Sequence, residues 1–150
     1  MPIPTAPLPI RAFPEPHPRP RPFLSPTNTP ERNRTMSYVT GFLLAVPEAN
    51  KEAYVRASEE GWAIFSKHGC LGHMEAWGDN IPDGETTSFP MAVKLQPGEV
   101  VVFSWLIWPD RATADACFAV MQDDPDMKGM DMPFDGKRMM WGGFSPVFER

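Results

Sequence analysis

EVVVFSWLIW, residues 99–108, decides the fold. Val101, Phe103, Trp105 and Ile107 fall on one face of a strand and Val100, Val102, Leu106 and Trp108 on the other. A strand apolar on both sides belongs in the middle of a sheet with both faces covered. Pro109 ends it, and Asp110 is placed to cap a helix over about 111–123, with Ala112, Ala116, Ala119 and Val120 as its inward face and Pro125 as its stop.

Working outward, YVTGFLLAV at 38–46 reads as a second central strand. Pro47 suits a first helical position. Tyr54, Ala57, Gly61, Ile64 and Phe65 then recur at three- and four-residue spacing, and Gly69 closes the helix. CLGHMEAWGD at 70–79 predicts a strand with Leu71, His73, Glu75, Trp77 and Asp79 on one face. Met91, Val93 and Leu95 alternate with Ala92, Lys94 and Gln96, and Pro97-Gly98 follows, so 91–108 reads as a hairpin. A last strand runs from about Lys137 to Phe148, where Gly142-Gly143 suggests a bulge or a close backbone approach.

The order β-α-β, hairpin arm, β-α-β is the split βαβ of an α+β, ferredoxin-like domain with an extra hairpin strand. Right-handed crossovers place both helices on one side of the sheet and the first and third main strands side by side. Two helices cover one face only. The other carries several large apolar side chains, so a second copy is expected to cover it, giving a homodimer joined sheet to sheet.

The 150 residues (16.8 kDa) suit one domain, at 36–150, after a separate extension. Residues 1–35 hold 11 of the 19 prolines and a basic balance, five arginines against two glutamates. Proline at this density supports neither helix nor ladder, so the segment is expected to be disordered, and Met36 is a candidate true start. A net charge of -5 and a pI near 5.1 argue against nucleic acid as a partner. No apolar run approaches the ~20 residues needed to span a bilayer, which argues against a membrane. Two cysteines point to a reduced, cytoplasmic setting.

Five segments carry a resemblance: YVTGFLLAVP at 38–47, HGCLGHMEAW at 68–77, TSFPMAVKL at 87–95, VVFSWLIWP at 101–109 and DMPFDGKRMMWGGF at 131–144. With them, 36–150 resembles the YbaA-like family of bacterial proteins, a domain of unknown function. The resemblance implies a dimeric α/β-barrel. That superfamily holds cofactor-free monooxygenases, isomerases, haem enzymes and non-catalytic ligand-binding modules, and it implies no particular reaction.

Three constellations could carry chemistry. His68, Cys70, His73 and Glu75 are metal-ligand types within eight residues, but strand alternation lets only His73 and Glu75 converge, so no metal site is expected. The alternative pairs Glu75 with Lys137 or Arg138. Met127, Met130 and Met132 are soft-metal types that more often fill irregular gaps. DMPFDGKR, 131–138, is an apolar loop able to fold over a cavity, with Lys137 and Arg138 as cationic donors and Asp131 or Asp135 to fix them or act as base. In the alternative, Asp135 anchors the turn and Arg138 binds loop carbonyls.

The expected function is small-molecule binding in a cavity between helices and sheet. Phe134, Asp135, Lys137, Ser104 and the rings of Trp77, Trp105 and Trp141 would contact the ligand. An enzymatic alternative is a cofactor-independent monooxygenase or isomerase acting on an aromatic or enolisable compound. There Glu75 or Asp131 takes a proton and Arg138 stabilises the anion. A structural dimer without ligand is the third reading. Phosphate-binding glycine loops, nucleophile elbows and paired-cysteine zinc motifs do not occur, and no cofactor is expected.

Overall fold

The computed structural model describes residues 37–150, so the expectations for 1–35 lie outside the described residues. Four strands, β1 (Tyr38–Pro47), β2 (Gly72–Trp77), β3 (Glu99–Trp108) and β4 (Met140–Phe144), form one antiparallel sheet in the order β2-β3-β1-β4. Helix α1 (Lys51–Lys67) links β1 to β2, and α3 (Arg111–Asp123) links β3 to β4, after a single turn α2 (Phe89–Ala92). The order βαββαβ with β1 and β3 central is the ferredoxin-like, α+β arrangement. The two strands that read apolar on both faces are the two in the middle.

Capping and packing explain the helices. A short 3-10 turn over Glu48–Asn50 follows Pro47, so α1 starts four residues later than the proline suggested. It buries Tyr54 and Gly61 and ends at His68, after which Gly69 turns the chain at φ +91°. A Cβ at Gly69 would press on the Thr113 methyl at the start of α3. Asp110 caps α3 by accepting from the Thr113 amide at 2.7 Å and its hydroxyl at 2.8 Å. The buried residues of α3 are Ala114 and Cys117, with Phe118 and Met121 packed beside them, and not Ala112, Ala116, Ala119 and Val120 as expected. Small alanines do not fill the gap over Trp108, whereas Phe118 reaches it edge-on at 6.0 Å.

Two further expectations change. Residues 91–95 form no hairpin strand: Ser88 accepts from the Met91 amide, Pro90 sits in the first turn, and α2 results. The reversal at Pro97-Gly98 does form, with Gly98 at φ +80°. The last strand is five residues, because Asp135 caps a 3-10 turn over Gly136–Arg138 before it. Its pairing with β1 is regular, so Gly142-Gly143 makes no bulge. Gly143 instead lies against the Tyr38 ring, where a Cβ would collide.

The two sheet faces differ in kind. Both helices cover the face bearing Thr40, Phe42, Leu44, Ser104, Leu106 and Trp108. The buried indole Nε1 of Trp108 donates to Thr40 Oγ1 at 3.1 Å, so the polar atoms there are satisfied. On the opposite face the middle of the strands is apolar, and the charged strand residue there, Glu99 at the start of β3, is paired with Arg138. After α2, Val93 closes over Ala45 and Val101 at one end and is fully buried. The rest is left bare, with Phe103 48%, Met74 50%, Met140 47% and Phe144 59% exposed. Among the described residues, no helix is long and apolar enough to cross a membrane.

Candidate functional site

Glu75 on β2 projects under α1 into the sheet face the helices cover. Its neighbours follow from register: β2 alternation puts His73 on the same side, and Ser104 lies directly opposite on β3. Tyr54 comes down from the inward stripe of α1. The Tyr54 hydroxyl donates to Glu75 Oε2 at 2.5 Å, Ser104 Oγ donates to Oε1 at 2.9 Å, and His73 Nε2 contacts Oε1 at 2.6 Å. One carboxylate thus gathers three donors from three elements. Burial, then the nearby Glu75 charge, pushes the Tyr54 hydroxyl well above its ordinary pKa, so it stays a proton donor in this group.

This group floors a cavity of about 110 Å³ between α1, the sheet and the 127–139 segment. The remaining walls are mostly apolar: Phe42, Leu44 and Leu106 from the strands, and Ala57, Gly61 and Phe65 from α1, with Ser58, whose hydroxyl donates to the Tyr54 carbonyl. Its roof is Met127 on the short helix α4 (Pro125–Lys128) and then Met130, Met132, Phe134 and Met139. Phe134 meets the Tyr54 ring edge-on at 5.8 Å. His73 and Glu75 also line a second, outer groove, whose far wall is Val55, Glu59 and Trp62 of α1.

The roof is tied down at two points. Asn50 Nδ2 donates to the Pro133 carbonyl at 2.9 Å. Arg138 grips Glu99 through both terminal nitrogens, at 2.5 and 2.7 Å, and the Lys94 carbonyl at 3.1 Å, while its Nε reaches Asp135 at 3.1 Å. Hydrogen bonds from Arg138 hold the carboxyls of Glu99 and Asp135 below their ordinary pKa, and those partners raise that of Arg138.

The profile of the family described as "Protein of unknown function (DUF1428)" matches residues 37–136, from β1 through the roof. The chain belongs to the DUF1428 family. The Escherichia coli (strain K12) protein called Uncharacterized protein YbaA is 44% identical over 116 residues, covering 76% of this chain and 99% of that one. The Shigella flexneri protein of the same name matches to the same extent. Among solved structures, a dimeric ferredoxin-like protein from an uncultured marine organism is 13% identical with a TM-score of 0.49, over 77% of this chain and 99% of that one.

Within this DUF1428 domain the structure sorts the expected site residues. Glu75, Ser104 and Phe134 meet at the cavity. Trp77 stands on the same sheet face but packs beside Tyr54 at 6.3 Å, under the Lys51 ammonium, outside the lining. Trp105 points to the opposite, bare face, and Trp141 stacks on Phe118 at the far edge of the sheet. Asp131 and Lys137 are exposed. Asp135 anchors its turn by accepting from the Lys137 amide at 3.0 Å, and Arg138 binds loop carbonyls and Glu99, away from the cavity. The loop folds over the cavity as expected, but its cations face outward, because α2 brings the 93–94 carbonyls and Glu99 to the other side. Glu75 accordingly pairs with neither Lys137 nor Arg138.

Among the described residues, no three His, Cys, Asp or Glu side chains gather as a metal site. Cys70 donates instead to the carbonyls of Gly72 and Ile107, in the core cluster that holds Cys117. Both thiols are free and buried, and burial pushes Cys117 up to about 11. Tyr54 is the residue the sequence reading undervalued. Its place in the inward stripe was visible, and a buried tyrosine hydroxyl needs a partner, which the same-face pair His73 and Glu75 could supply.

Proposed function

We propose that this protein binds a small molecule in the cavity floored by Glu75, and does so as a homodimer joined through its bare sheet face. One observation carries the first half: a carboxylate held by three donors at the bottom of an otherwise apolar chamber. Packing alone would favour apolar side chains there, since a partly buried carboxylate with its hydrogen bonds met is often no more stabilising than well-packed apolar groups of the same size. The second half is supported by the half-exposed apolar middle of the opposite face, larger than scattered surface residues explain. Two unpaired thiols favour a reducing, cytoplasmic setting.

A thermal-shift screen of a fragment library tests the binding reading. Hits stabilise the fold by mass action, by about 2.7 kcal/mol at roughly a hundredfold their Kd, and so raise Tm. The shift should vanish in Ala57→Leu, which fills the chamber from α1. A library without hits, or hits untouched by that substitution, favours the structural dimer without ligand.

The reach of His73 favours a second reading, in which the protein is an enzyme without cofactor. Glu75 would take a proton from an enolisable or aromatic substrate, and His73, which lines the outer groove too, would pass it to solvent. Arg138 and Lys137 have no part in that scheme. Loss of turnover with retained binding in Glu75→Gln would distinguish it from binding alone.

A further inference from the structure

The charge balance of the cavity points to a class of ligand. Glu75 is the one acidic residue in its lining, the one basic side chain there is His73, whose Nε2 is already engaged on Glu75 Oε1, and neither lysine nor arginine is present. A carboxylate offers about four lone-pair positions. Tyr54 occupies one on Oε2, while Ser104 and His73 occupy two on Oε1. The position left is on Oε2, and it is an acceptor. The hydroxyl protons of Tyr54 and Ser104 are committed to Glu75 and that of Ser58 to the Tyr54 carbonyl at 2.8 Å, so a ligand meets no free hydroxyl donor there. A carboxylate or enolate ligand would face a like charge without compensation.

The walls favour the opposite charge. The rings of Phe42, Tyr54, Phe65 and Phe134 line the chamber together with four methionine thioethers. Aromatic faces attract an ammonium through their quadrupole, most strongly where water is excluded, and a carboxylate adds a charge-assisted hydrogen bond. The thioether roof is soft and adaptable, suited to an apolar body of variable shape. We propose that the cavity selects a compact apolar amine, bound as its ammonium by Glu75 Oε2 with the aromatic rings around it. This rests on the ligand-binding reading and narrows it from any small molecule to a cation.

Three near-isosteric probes decide it: benzylamine, benzyl alcohol and benzoate, titrated calorimetrically into the full-length protein at neutral pH. Benzylamine should bind about tenfold or more tighter than benzyl alcohol, with benzoate weakest, as a charge-assisted bond outweighs a neutral one. In Glu75→Gln the amine should fall to the level of the alcohol, and in Ala57→Leu both should be lost. An alcohol that binds as well as the amine, or a benzoate that binds better, overturns the proposal and leaves the cavity a neutral-ligand site. Amine binding that survives Ala57→Leu lies elsewhere and also overturns it. If none of the probes binds and the fragment screen is empty, the cavity reading itself fails. Should Glu75→Gln not fold, the ranking of the three probes on the unaltered protein still decides.

Discussion

Trp105 and Trp108 stand three residues apart on β3 and face opposite ways. Trp108 points under the helices, is fully buried between Phe65 and Phe118, and gives its indole N–H to Thr40. Trp105 points away from them, beside Phe103 at 5.2 Å, on a face that only the single turn α2 touches, at one end. The same side chain is thus finished within one copy at 108 and unfinished at 105. The contrast extends to the faces themselves. The covered side has polar groups at its middle, Glu75 with Tyr54, His73 and Ser104, whereas the uncovered side is apolar at its middle and carries its charge at one end, in the pair of Glu99 and Arg138. An interior with a polar centre and an exterior without one is the reverse of what a lone monomer needs, and it suits a ligand within and a partner without.

Substitution at each position should separate these roles. Trp108→Ala removes a core ring with all its contacts and should lower unfolding free energy by about 3–5 kcal/mol, read by urea titration. Trp105→Glu should leave secondary structure intact but raise the dimer dissociation constant by about a hundredfold, equivalent to about 2.7 kcal/mol, read by light scattering along a dilution series. Equal loss of fold in both variants would erase the distinction between the faces.

Glu75→Ala probes the polar centre. It leaves the Tyr54 and Ser104 hydroxyls without their acceptor, at about 1–3 kcal/mol, and Glu75→Gln should recover part of that because its amide oxygen still accepts. A Tm unchanged in Glu75→Ala would mean that the group is wetter than its geometry implies.

The smallest effect belongs to the Arg138 clamp at the rim. The carboxyls of Glu99 and Asp135 have depressed pKa values in the fold, so their contribution is present above the ordinary carboxylate range and lost as pH falls through the folded values. The Tm difference between the protein and Arg138→Met should therefore be full at neutral pH and shrink below about pH 4. A difference that grows in acid would contradict the pairing.

What the sequence could convey followed the strength of its periodicity. The ten-residue apolar runs of β1 and β3, the inward stripe of α1 and the Asp110 cap are repeated or chemically specific signals, and each appears where expected. The 91–95 alternation is only five residues long, and the Ser88 cap with Pro90 outweighed it. The inward face of α3 is set by Ala114 and Cys117 and not by the other alanines, because a cysteine packs as a small apolar residue that is often buried. Glu75, His73 and Ser104 could be assigned to one face by alternation. The outward turn of Arg138 could not, because it depends on where α2 puts carbonyls more than forty residues earlier in the chain.

The molar mass of the unaltered protein in solution, by size-exclusion chromatography with light scattering at micromolar concentration, tests the two-faced account most directly. A species of twice the 16.8 kDa chain mass is predicted. A single 16.8 kDa species across the whole concentration range would mean that water covers the apolar face, and the account would be wrong.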